Sequence, residues 1–106
     1  MDEKKRARLT AAGWRVGTVD EFLELSPAES AFIAMKLGLA DHLRALRTER
    51  GWTQTQVAVR LHSSQSRVAK MEAADATVSL DLLVKSLLTL GASATEVAEA
   101  IASRAA

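Results

Sequence analysis

The heptapeptide Ser64-Gln65-Ser66-Arg67-Val68-Ala69-Lys70 holds the residues in this chain best suited to chemistry with a partner. If it is helical, Val68 and Met71 share one inner face, which leaves Gln65, Ser66, Arg67, Ala69 and Lys70 outward, clustered towards the N-terminal half. A Gln carboxamide can pair bidentately with adenine, Arg and Lys reach guanine or phosphate, and Ser serves either. A helix lying in the major groove presents its N-terminal residues to base edges. Gln54 opens the preceding segment, where its side chain and the unpaired backbone N–H groups are placed to bond a phosphate. The candidate DNA contacts are therefore Gln54, Ser64, Gln65, Ser66, Arg67 and Lys70, with Gln65 as the expected base reader.

The charge distribution supports a polyanionic partner. The whole chain carries +1, but His42 to Glu72 holds six basic residues against two acidic ones, a local +4 that leaves −3 on the remainder. A concentrated basic excess is the electrostatic footprint of nucleic-acid binding. The absence of Cys rules out disulfides and thiolate metal sites, and His42 and His62 have no second ligand at a useful spacing, so neither metal nor cofactor is expected. No nucleophile with its base, paired-carboxylate site or phosphate-binding glycine loop is evident, which argues against an enzyme. Aromatic residues are only 4% of the chain, too few for the stacking platforms of single-stranded RNA binding. The charged start MDEKKRAR has no apolar run behind it, and no stretch is long enough to span a bilayer, so a cytoplasmic protein is expected.

These residues must be positioned by helices. Abundant Ala and Leu, few β-branched and aromatic residues, and a length of 106 residues point to one all-α domain. Residues 1–26 read as a polar arm, a connector at WRVG and a short helix capped by Thr18 and Glu21 that carries Val19, Phe22, Leu23 and Leu25. Residues 27–106 read as the main domain. Ser26-Pro27-Ala28-Glu29 starts a long helix that finds no stop before Gly51, about 36 Å long, with Gly38 as its weak point. Phe32, Met35, Leu39, Leu43 and Leu46 form one apolar stripe on it, and Ile33 and Leu37 form a second in its first half. That second stripe needs cover, from the chain itself or from a partner. Trp14, Phe32, Ile33 and Leu37 are the candidate partner-binding residues.

The spacing predicts two short helices next. Thr53 and Gln56 form a capping box for a segment to Leu61 with Val57, Ala58 and Leu61 inside, and Ser64 caps a segment to about Ala73. The small Ala58 permits a close crossing, which suits a helix-turn-helix joined at His62-Ser63. Ser79 then caps an amphipathic helix carrying Leu80, Leu83, Val84, Leu87 and Leu88, stapled by Val78 and closed by Gly91. Ser93 and Glu96 cap a last helix whose large apolar residues are only Val97 and Ile101, so weak packing or a partner is expected for it. Trp52 is expected in the core, whereas Arg44, Arg47 and Arg50 are expected to decorate the end of the long helix, where cations suit the dipole.

The pattern W-T-Q-x-x-V-A-x-R-L-x-x-S-Q-S-x-V-x-K-M-E resembles the helix-turn-helix of the xenobiotic-response-element (XRE) class, the Cro and lambda-repressor-like domains, over roughly Leu39 to Leu90. Thr53-Gln54, Ala58, Ser64-Gln65-Ser66 and Met71-Glu72 occupy the places of the usual pattern. His62 stands where Gly is usual in the turn, Ser63 replaces an apolar residue, and Ala73-Ala74 replaces Asn-Gly. The resemblance implies an all-α, five-helix lambda-repressor-like domain, here with an N-terminal arm and a short extra helix, that acts as a dimeric repressor on a palindromic operator. The leader GWRVGTVDEFLELSPAES looks like that of HigA-type antitoxins, which implies autorepression and a RelE/HigB-like toxin as partner. The alternative is a protein-interaction module with a vestigial helix-turn-helix.

Overall fold

The computed structural model describes residues 26–104, and the chain divides into two compact units after Phe32. Trp14, the arm and the short helix expected before Ser26 lie outside the described residues. Among the described residues there are five helices and no strands: α1 (Pro27–Glu49), α2 (Gln54–Arg60), α3 (Gln65–Glu72), α4 (Leu80–Thr89) and α5 (Ala94–Ala102). None is long and apolar enough to cross a membrane.

Each start is a side-chain cap that satisfies N–H groups the helix leaves open. Ser26 and Glu29 exchange bonds of 2.8 and 3.0 Å across the first turn of α1. Thr53 with Gln56 and Ser93 with Glu96 form the same reciprocal box, and Ser64 and Ser79 accept from Arg67 N and Leu82 N. The ends of the first four helices share one pattern. At α1, Gly51 N donates to Thr48 O and Trp52 N to Arg47 O, both at 3.0 Å, the paired bonds of a Schellman turn. The same bonds close α2 at His62 and Ser63, α3 at Ala74 and Asp75, and α4 at Gly91 and Ala92. The turn residue is left-handed in every case: Gly51 at φ 70°, Gly91 at 104°, and His62 and Ala74 both at 53°. The two non-glycine turns thus keep the geometry that Gly favours, at the expense of crowding between Cβ and carbonyl.

The core of the second unit gathers one face of every helix: Leu39, Leu43 and Leu46 of α1, Val57 and Ala58 of α2, Val68 and Met71 of α3, Leu83 and Leu87 of α4, and Val97 and Ala100 of α5. Val78, expected to staple the start of α4 against Leu83, is buried, as is Leu83. The stripe on α1 is only partly interior, since Met35 and Leu37 are half-buried and Phe32 and Ile33 are 47% and 42% exposed. On α4, Leu88 faces outward at 46% exposure and Ser86 takes an inner position instead, because α4 is covered along a narrower strip than its Leu content implies. Gly38 is not a weak point but a crossing point. A Cβ there would lie 2.1 Å from the carbonyl oxygen of Ala100, so α5 sits against bare backbone of α1. Arg104 adds an ion pair to Asp41 at 2.6 Å. The last helix, for which weak packing or a partner was expected, is held by this backbone approach as well as by Val97 and Ala100.

Candidate nucleic-acid interface

Gln65, Ser66, Arg67 and Lys70 are all exposed on α3, while Val68 and Met71 behind them are fully buried. Ser64 is exposed as well, with its hydroxyl accepting from Arg67 N at 3.1 Å, so its first task is to cap the helix. Ser64, Ser66, Arg67 and Lys70 line a hollow of about 300 Å³ together with Thr77 from the loop that follows α3. Thr77 N and Oγ1 both donate to the Asp75 carboxylate, at 2.8 and 2.7 Å, and these bonds hold the Asp75 carboxyl below its ordinary value. The loop is thereby fixed in shape beside α3.

Gln54 is where the structure adds most to the sequence reading. Its Nε2 donates to Glu72 Oε1 at 3.1 Å, and its Oε1 accepts from Gln65 Nε2 at 2.6 Å. Two bonds of this carboxamide are internal, which leaves one Nε2 hydrogen and the first-turn backbone N–H groups for a phosphate. Gln65 is exposed, and its second Nε2 hydrogen and its Oε1 are not used in that bond, which leaves the donor and acceptor pair that adenine matches.

The chain of bonds starts from a group that sequence reasoning placed in a motif but gave no role. The Glu72 side chain is 2% exposed, and Arg47 reaches it with two donors, Nε at 2.6 Å and Nη2 at 3.1 Å. Arg44 stands at 3.6 Å from the same carboxylate. Burial is the strongest influence on the Glu72 carboxyl and pushes it up. The bonds from Arg47 and Gln54 and the charges of Arg47 and Arg44 together outweigh that, and the group is held below its ordinary value. Bonding to Glu72 likewise raises the Arg47 guanidinium, against its own desolvation.

Arg47 therefore does not decorate the end of α1. It turns inward, also donating to Trp52 O at 3.1 Å, and ties α1 to α3 and to the turn before α2. The signal was available: Glu72 lies four residues after Val68 and one after Met71, on the inner face of an otherwise polar helix. Trp52 is only half-buried and packs on the core with one side, while Arg60 and Arg50 lie 4.1 and 5.3 Å from its ring centroid. An aromatic face can hold two such cations at the surface, and this accounts for its incomplete burial.

Two short helices packed together with Ala58 buried, a turn at His62, an exposed polar α3 and a scaffold of α1, α4 and α5 make up the domain. The helix-turn-helix domain family matches residues 39–100. The chain belongs to that family. No curated protein and no solved structure matches it. The matched span runs from Leu39 in α1 to Ala100 in α5, so it includes Arg47, the Glu72 network and the entire exposed face of α3. The domain is an all-helical DNA-binding helix-turn-helix whose turn is left-handed at His62, with φ 53°.

Proposed function

We propose that this chain is a sequence-specific, double-stranded DNA-binding transcriptional repressor that acts as a homodimer on a palindromic operator. The observation that carries the reading is Gln65, exposed at the start of α3 and held by Gln54, which is itself held by the buried Glu72. A base reader fixed in advance loses less conformational freedom on binding. Arg67 and Lys70 supply guanine or phosphate contacts beside it, Ser64 and Ser66 supply hydroxyls, and the N-terminus of α2 at Gln54 takes a backbone phosphate. We further propose that the protein is the antitoxin of a type II pair and neutralises a RelE/HigB-like toxin. The leader before Pro27 supports this, as do the apolar side chains of Phe32 and Ile33 and the half-buried Leu37 on α1; Trp14 of the leader belongs to the same expected contact set.

Enrichment on a random duplex pool at about 150 mM salt, where non-specific phosphate binding is weak, tests the DNA reading. A recovered palindrome with half-sites about 10 bp apart is expected. Gln65→Ala should relax one base position by about 1–3 kcal/mol, and Lys70→Ala should weaken all sequences alike. A pool that stays random, together with a partner bound equally well by both variants, would establish the interaction-module alternative. Co-purification with the product of a neighbouring gene, and loss of that product's ribonuclease activity in the complex, tests the antitoxin role.

A further inference from the structure

A second hollow, of about 390 Å³, lies beside the turn where α2, α3 and α4 meet. Arg60, Arg67 and Lys85 line it, and no carboxylate does. The ion pairs among the described residues involve Arg44, Arg47 and Arg104, so these three cations have no carboxylate partner there. Cations that converge on a concavity without counter-charge concentrate anions in it. Its wall also contains Ser86, only 5% exposed, whose hydroxyl donates to Met71 Sδ at 3.6 Å, a weak acceptor for a buried donor. Leu61, Met71 and Leu82 supply apolar lining, and the volume falls in the range of about 300–1,000 Å³ that small-molecule sites occupy.

Two kinds of anion could use such a place, a phosphate of the DNA backbone or a small molecule. A backbone phosphate is one of a row on a stiff duplex and cannot descend to a hydroxyl that is almost fully enclosed, whereas a small molecule can. We propose that this hollow binds a small organic anion, its carboxylate, sulfonate or phosphate held by Lys85, Arg67 and Ser86 and its apolar body against Leu61, Met71 and Leu82, while the Arg60 guanidinium stays on the Trp52 ring at the rim. Arg67 also lines the hollow on the reading face with Ser64, Ser66 and Lys70. An Arg67 engaged by the anion is withdrawn from DNA, so occupancy lowers DNA affinity, and DNA lowers anion affinity by the same factor. This linkage rests on the DNA-binding reading; the anion site does not.

The test is calorimetric titration of the full chain with 2-naphthoate in low-chloride, phosphate-free buffer, with neutral 2-naphthamide as control. One saturable site is expected for the acid, weakened about tenfold or more in Lys85→Met, as the loss of a charge-assisted bond implies, with the amide bound far more weakly. Lys85 is exposed, so the variant keeps its fold, which circular dichroism checks. Absence of saturable binding, equal affinity in Lys85→Met, or an amide that binds as well as the acid each overturns the site. In a duplex titration, a given concentration of 2-naphthoate should lower the DNA affinity of the wild type more than that of Lys85→Met; no effect on the wild type overturns the linkage. Because anion binding is read without DNA, a chain that bound no duplex would refute the DNA reading and leave the calorimetric result standing.

Discussion

Arg47→Ala removes the principal counter-charge of a buried carboxylate and gives the most direct test of how α3 is held. The Glu72 side chain is 2% exposed and Arg47 is 21% exposed, so the pair is interior on the acidic side and partly wet on the basic side. Breaking a buried pair by deleting one partner costs about 3–5 kcal/mol. The lower end applies here, because Arg44 at 3.6 Å and the bond from Gln54 remain to Glu72. Set against a total of roughly 5–15 kcal/mol for a domain, about 3 kcal/mol is a large loss. At about 4–8 °C per kcal/mol it lowers the melting temperature by at least about 12 °C.

The pH dependence carries the sharper signature. In the wild type the folded-state carboxyl lies below its ordinary value of 4.5, so the pair's contribution is complete above that pH and fades as pH falls through the folded value. In Arg47→Ala the two lowering influences of Arg47 are gone while burial still raises the carboxyl, so its folded value moves up from that of the wild type. The cost of the substitution should therefore shrink as pH falls from the variant's folded value towards that of the wild type. Arg47→Met with Glu72→Met, which removes both charges, should cost less than Arg47→Ala alone. Urea unfolding followed by circular dichroism at several pH values measures all three. A cost of Arg47→Ala below about 1 kcal/mol, or one that does not change with pH, would refute the buried-clamp argument.

Gly38→Ala should destabilise by about 1–3 kcal/mol or more, since the new methyl would meet the Ala100 carbonyl oxygen at 2.1 Å and the Ser103 hydroxyl at 2.9 Å. Hydrogen exchange should show the loss concentrated in α5, and a neutral result would mean that α5 does not cross there. His62→Gly should stabilise by a few tenths to about 1 kcal/mol, because the turn already holds φ 53° and glycine adopts it without a Cβ penalty, less the entropy of freeing the unfolded chain. Thermal unfolding reads this, and a variant less stable than the wild type would show that the His62 side chain contributes more than the turn costs.

The sequence by itself determined where the described helices begin and how most of them end. Ser26 with Glu29, Thr53 with Gln56, Ser64, Ser79, and Ser93 with Glu96 all act over three residues, and a bond of that reach depends only on the local backbone. The turns at Gly51 and Gly91 are equally local. The outward set on α3 was legible for a related reason: periodicity sorts Val68 and Met71 from Gln65, Ser66, Arg67 and Lys70 before any neighbour is known. Tertiary structure alone decided which long-range partners meet. Arg47 and Glu72 are 25 residues apart, Gln54 and Gln65 are 11 apart, and Gly38 meets Ala100 only where α1 and α5 cross. Helical periodicity assigns a face, but the partner on that face depends on crossing angle and depth. An arginine near a helix end therefore became a buried clamp, a glycine in mid-helix became a contact, and one leucine of an apolar stripe was left facing solvent.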